Sequence, residues 1–382
     1  MRTRRAMTGR RICGAIVIAA GLSWGAALLA QEAAGGSSAQ NADAAPNVQN
    51  AQFATRAVSG ALTDTFRALQ AQAEKPEWIG YGVPEIAGDR TMCCGNYNDG
   101  NGCGTCRLER EDGNSYSRSN GSTNGTVRLE GSKELVVLFR MEGKQVTKIR
   151  QASEDCTLDA GGLAFLWLTG VKPAESVALL SGFVHDATDR DEERHLGNGA
   201  LAAIAMHADA SADRAFESFV STGQPEQLRK HASFWLGAAR GKSGLTLLQK
   251  MTKGDPSPEV RSQVTFALSV SREPEALNEM IRMAREDESS RVRGQALFWL
   301  AQKAGQKAVS TITGAIENDP DTDVKKKAVF ALSQLPKDEG VPKLIEVAKN
   351  NRNPAVRKQA MFWLGQSHDP RALEFFEQIL TR

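Results

Sequence analysis

VRKQAMFWLGQ, residues 356–366, decides the fold, because the chain repeats nearly the same phrase at fixed intervals. VRGQALFWLAQ (292–302) lies 64 residues upstream, and LRKHASFWLGA (228–238) another 64 upstream. VRSQVTFALSV (260–270) and VKKKAVFALSQ (324–334) fall midway between them. The period is therefore 32 residues, with Trp in every second copy. Counted from the leading Leu or Val, apolar residues recur at 0, +4, +7 and +8. That spacing is one stripe on a 3.6-residue helix.

A second stripe occupies the other half of each unit. Leu245, Leu277, Val309, Val341 and Leu373 form one column, and Leu248, Met280, Ile312, Leu344 and Phe376 the next. Each unit thus predicts two amphipathic helices. A single pair leaves one stripe of each helix uncovered, so neighbours must stack to make a core. Asp255, Asp287, Asp319 and Asn351 stand six residues before the basic column Arg261, Arg293, Lys325 and Arg357. With Pro nearby, they are expected to cap the helix that follows. The basic column, which begins at Arg229, is expected to bond the turn of its own or the adjacent repeat. The pattern weakens upstream: LGNGALAAIAM (196–206) keeps the spacing without the Arg, and GGLAFLWLTGVKPAESVALLSGFV (161–184) reads as a terminal helix pair.

The motif D-P-x-x-x-V-R-x-x-A-x-x-x-L-G resembles HEAT repeats, in particular the short kind of phycobilisome-lyase-like proteins, over roughly residues 195–382. The resemblance implies a right-handed α-solenoid whose concave side is lined by the V-R helices. It also implies protein binding as the commonest role. The expected fold class is mainly α, a HEAT-type α-solenoid (157–382) preceded by a small α+β domain (51–156).

Two aromatic columns run through the V-R helices. Trp235, Trp299 and Trp363 alternate with Ala267 and Ala331 at +7, inside the apolar stripe, which predicts core packing. Phe234, Phe266, Phe298, Phe330 and Phe362 sit at +6, off the stripe centre. Packing between repeats and a partly exposed ladder are both open for them. With Gln263, Gln295 and Gln359 nearby, they are the candidate protein-binding residues, since aromatic anchors among polar neighbours suit a binding groove.

Upstream, an arginine-rich start precedes ICGAIVIAAGLSWGAALLA (12–30), which reads as a secretory signal over 1–30. Contact with a membrane is expected only if that segment stays uncleaved. Residues 31–50 are small and polar and read as a disordered linker. In 51–156, QFATRAV (52–58) and EWIGYGV (77–83) have strand character. ALTDTFRALQAQ (61–72) is a helix, and KELVVLFRM (133–141) with QVTKIRQA (145–152) a hairpin. Cys93, Cys94, Cys103 and Cys106 crowd into fourteen residues, and Cys156 follows. In an oxidising compartment these five are disulfide candidates. The rivals are thiol redox chemistry and a zinc site from Cys94, Cys103, Cys106 and Cys156, against which the adjacent Cys93 and Cys94 make a poor half-site. The layout, including WIGYGVP (78–84) and DCTLDAGG (155–162), is similar to a group of exported bacterial HEAT proteins.

A net charge of +2, with 41% hydrophobic and 24% charged residues, argues against a nucleic-acid binder. His185 and His195 among acids match no standard metal spacing and read as a solvated loop. His207 and His231 read as packing or surface. No phosphate loop, nucleophile elbow or His-Glu-x-x-His motif occurs. The sequence points to a non-catalytic, periplasmic or secreted scaffold without a cofactor, binding protein partners in the cell envelope. The alternative is a thiol-redox or metal-binding envelope protein acting through the Cys93–Cys106 segment.

Overall fold

The computed structural model describes residues 45–88, 91–93, 96–98, 105–109, 133–184 and 191–381. Its first half runs β1 (Val48–Gln49), β2 (Gln52–Ala57), α1 (Leu62–Gln72), β3 (Glu77–Pro84), β4 (Thr91–Cys93), β5 (Asn96–Asn98), β6 (Thr105–Arg107), β7 (Glu134–Glu142), β8 (Gln145–Ser153), β9 (Thr157–Asp159) and β10 (Ala164–Thr169). β2-β10-β3-β7-β8 form one sheet and β1-β9-β6 a second, smaller one. β10 pairs in parallel with β2 and β3, while β3, β7 and β8 are antiparallel.

Alternation along these strands sends side chains to two cores. Ile79, Tyr81, Val83, Val137 and Phe139 face helices, whereas Trp78, Val136, Leu138, Phe165 and Trp167 face the small sheet together with Cys106, Leu108, Cys156 and Leu158. The hairpin, both early strands and α1 appear where the sequence places them. Three expectations are corrected. Residues 164–169 form the strand between β2 and β3, so 161–184 is no helix pair and only α2 (Pro173–Ser181) is helical there. Val48 and Gln49 pair with Leu158 and Asp159, so the last residues of the expected linker are ordered. His195 lies on α3 (Asp191–Met206) rather than in a loop, while His185 falls outside the described residues.

The chain continues as α4 (Ala210–Phe219), α5 (Glu226–Ala239), α6 (Gly241–Gly254), α7 (Pro258–Val270), α8 (Glu275–Glu286), α9 (Ser290–Ala304), α10 (Val309–Asn318), α11 (Thr322–Ser333), α12 (Lys337–Asn350), α13 (Pro354–Gln366) and α14 (Pro370–Leu380). The molecule is mainly helical. The V-R helices α5, α7, α9, α11 and α13 pack in sequence along one another, while the alternate row α6, α8, α10 and α12 is more splayed. Tight packing on one row and looser packing on the other makes the V-R row the inner side of a curved stack. Gly237 serves this closeness: a Cβ there would collide with the Ala267 carbonyl on α7. Gly199 does the same where α3 meets the sheet, since a Cβ would stand 2.7 Å from the Ile149 carbonyl oxygen on β8. One hydrophobic core runs unbroken from Leu62 through the helices to Phe375.

Charged residues fasten the repeats. Arg229 donates to both carboxylate oxygens of Asp255 at 2.7 and 3.1 Å, Arg261 to those of Asp287 at 2.9 and 3.1 Å, and Arg293 to those of Asp319 at 2.7 and 3.0 Å. Each acid belongs to the next repeat. The Arg261 and Arg293 guanidinium groups also reach back to the Asp255 and Asp287 carbonyls at 2.8 and 2.9 Å. The bonds to the acids raise the pKa of Arg261 and Arg293 further, against the cost of burial. The acids are not helix N-caps, as the sequence suggests. They end the preceding helix, and each accepts the backbone N–H two residues on; the N-caps are Ser257, Ser289, Asp321 and Asn353. At the fourth joint Lys325 and Asn351 replace the pair. Lys325 donates to the Glu317 carbonyl at 2.8 Å, and a cavity of about 480 Å³ lies beside the two residues.

Because both members of each pair are buried, removing one leaves an uncompensated charge. Arg261→Ala should lower unfolding free energy by about 3–5 kcal/mol, whereas Lys325→Ala should cost under about 1 kcal/mol. Urea unfolding of the two variants checks this; equal losses would refute it.

Candidate functional site

The inner row brings its aromatic residues into one continuous ladder. Phe234 and Phe266 stack with centroids 5.7 Å apart, and Phe298 and Phe330 stack at 5.8 Å. Between these pairs stands Trp299, 4.7 Å from Phe266 and 4.8 Å from Phe298. Trp363 repeats the arrangement, 4.8 Å from Phe330 and 5.0 Å from Phe362. Trp235 touches Phe234 at the other end, at 5.1 Å. The 64-residue period of the sequence is therefore the period of the ladder. A unit with Ala at +7 leaves room for two Phe rings to stack, and a unit with Trp fills that room with an indole.

The Trp column is not core, although its place in the stripe predicts that it is. Trp235, Trp299 and Trp363 are half-buried, like Phe234, Phe266, Phe298 and Phe330, and only pack against the core from outside it. Phe362 is 54% exposed. The indole N–H groups of Trp299 and Trp363 are buried and have no acceptor among the described residues, which is costly in a purely structural role. The alternation of Trp and Ala was the signal for this shared ladder, but periodicity alone assigns +7 to the core because it lies within the stripe.

Gln263 and Gln295 are half-buried at one place on the ladder. With Ser262, Phe266, Arg291 and Trp299 they line an open cavity of about 380 Å³ between α7 and α9. Gln359 is half-buried two joints further on, on α13. Arg291 is paired with Glu259 at 3.3 Å across this cavity's rim. Sequence reasoning missed Lys303, which donates to the Leu268 and Ser269 carbonyls at 3.2 and 2.8 Å and to that of Ser271, closing the end of α7. Its partial burial lowers the pKa of its ammonium.

The cysteine segment is less fully described. Cys106 on β6 and Cys156 before β9 are 2% and 0% exposed within the smaller core. Cys93 ends β4, and Cys94 and Cys103 lie outside the described residues. Among the described residues no group of His, Cys, Asp and Glu is arranged to hold a metal ion.

One other cluster resembles a catalytic constellation. The Tyr81 hydroxyl lies 2.8 Å from Ser176 Oγ, which lies 2.8 Å from His207 Nε2, while His207 Nδ1 meets the Ala203 carbonyl at 2.7 Å. The proton on Nδ1 goes to that carbonyl, so Nε2 accepts from Ser176 and Ser176 accepts from Tyr81. All three side chains are fully buried where the sheet meets the helices. Burial lowers the His207 pKa to about 4 and raises that of Tyr81 above its usual value. A closed, fully satisfied chain with no path for substrate is a structural network. Arg240 completes the junction by donating to the His207 and Ala205 carbonyls at 2.6 and 3.1 Å.

Residues 214–301 and 309–382 match the family model for HEAT repeats. Residues 214–382 are HEAT repeats. No curated protein matches the chain. Among solved structures, human deoxyhypusine hydroxylase in complex with glycerol is similar at 17% identity, over 54% of this chain and 90% of that one, with a TM-score of 0.24. That likeness is too slight to carry any activity across.

The ladder allows Phe298 and Trp299 to be compared directly. Both are half-buried and each touches two other rings. Phe298→Ala and Trp299→Ala should therefore destabilise by similar amounts, each about 2–3 kcal/mol, less than a fully buried aromatic costs. Guanidinium unfolding measures both. A Trp299 loss twice that of Phe298 would restore Trp299 to the core.

Proposed function

We propose that this protein is a non-catalytic, exported scaffold that binds a protein partner in the cell envelope along the inner face of its HEAT repeats. The observation that carries the reading is the ladder. Five Phe and three Trp rings form a half-exposed stripe across five repeats, where a helix row serving packing alone would bury them. Aromatic rings held in place by neighbours cost little entropy when they meet a partner, which makes them good anchors. The polar residues beside them, Gln263, Gln295 and Gln359, fit the rim of such a face. Export is supported by the basic and apolar pattern of residues 1–30.

Within this reading the cysteines are structural. Cys106 and Cys156 form disulfides, with Cys93, Cys94 and Cys103 as the remaining candidates. Supporting this, both residues are deeply buried in the smaller core. A redox role through the same segment would call for an accessible thiolate. Burial of Cys106 and Cys156 favours the structural reading over that alternative.

A photoreactive amino acid placed at Gln295, on the inner row, tests the proposal against one placed at the exposed Lys253 on α6. Irradiation of cells expressing the full chain should give protein adducts from the Gln295 position, in the envelope fraction. Equal adducts from both positions, or adducts confined to the cytoplasm, would overturn it.

A further inference from the structure

The inner face is not electrically neutral. Arg291 is paired with Glu259 at 3.3 Å, and Lys326 with Asp323 at 2.5 Å. Lys230 and Lys358 occupy one position of their helices and Lys327 the next, and none of the three makes an ion pair among the described residues. Cations therefore outnumber acids along the row, although the whole chain carries only +2. The excess is local.

Lys327 is held in a particular way. It lies across Gly294, where the other repeats carry Lys230, Ser262, Lys326 and Lys358. A Cβ on Gly294 would collide with Lys327 Cδ and stand 3.3 Å from its Nζ. Gly in a helix interior is less favourable than Ala, so the position gives up local stability. In return, the ammonium lies flat on α9, one residue from Gln295. Gln295 lines the 380 Å³ cavity with Gln263, Arg291 and Trp299. Arg291, Gln263 and Gln295 line the cavity, Glu259 pairs with Arg291 at its rim, and Lys327 lies beside it over Gly294, so two cations against one carboxylate leave one positive charge in excess among these groups. They complement an anion with several acceptor oxygens.

We propose that this stretch of the inner face takes an acidic, extended peptide segment, with one partner carboxylate seated at the cavity among Arg291, Lys327, Gln263 and Gln295. The inference rests on the groove reading above and adds the partner's chemistry. Phe266 and Trp299 wall the seat, and Lys230 and Lys358 extend the positive track to either side. Gly294 is a positioning residue: its missing Cβ lets Lys327 lie where the carboxylate arrives.

Fluorescein-labelled poly-L-glutamate, with poly-L-lysine as control, is titrated against the full chain by anisotropy. Poly-L-glutamate should bind in a salt-dependent way and poly-L-lysine should not. Gly294→Ala should weaken poly-L-glutamate binding about fivefold while melting at the same temperature as the parent or higher, because Ala favours the helix. Lys327→Gln should weaken it by a similar factor. Wild-type affinity in both variants, or no binding of poly-L-glutamate at all, overturns the acidic-peptide inference and leaves the groove reading to its own cross-linking test. Binding that survives both these changes and Phe298→Ala would place the peptide elsewhere and count against the groove as well.

Discussion

The buried Arg–Asp pairs joining successive repeats are the constraint on which the rest of this structure depends. Each Arg donates both to the acid of the next repeat and to the backbone ahead of its own helix. Three repeats are thereby fixed at three points each: the acid, the carbonyl and the apolar stripe between them. Buried pairs of this kind are weak evidence for net stability, because desolvation offsets much of their attraction. Their effect is on geometry. A bidentate guanidinium tolerates little rotation, so it sets the angle between adjacent V-R helices. That angle brings Phe266 within reach of Trp299, and Phe330 within reach of Trp363.

Most of the repeat region was legible in the sequence because one period governs everything in it. The stripes at 0, +4, +7 and +8 name the inner helix, and the residues between repeats name the turn. What periodicity could not distinguish was two roles at neighbouring positions. The +7 position is apolar in every unit, so Trp299 reads as core, yet it shares its exposure with Phe298. The Asp column was placed one cap too late for a similar reason. Asp255 and Ser257 both suit a helix start, and only the Arg contact from the preceding repeat decides that Asp255 ends a helix while Ser257 begins one.

The sheet region was harder to read. Residues 164–169, AFLWLT, form a central parallel strand buried on both faces, and such strands lack alternation. A run of apolar residues beside a helical repeat then reads as helix. The partner strands that decide otherwise, β2 and β3, lie some hundred residues upstream. The Tyr81–Ser176–His207 chain was invisible for the same reason: its members come from a strand, a helix and a helix end far apart in sequence. That chain and Gly199 join the sheet to the first helices, which makes the sheet the solid end against which the repeats stack.

The fourth joint, where Lys325 and Asn351 stand in place of an Arg–Asp pair, offers the most direct test of whether these pairs govern the repeats. Hydrogen exchange of the full chain, followed by mass spectrometry, reports protection helix by helix. The account predicts that α13 and α14 exchange faster than α7 and α9. It also predicts that the double change Lys325→Arg with Asn351→Asp slows exchange in α13 and α14 without altering α7. Unchanged exchange in α13 and α14 on restoring the pair would contradict it.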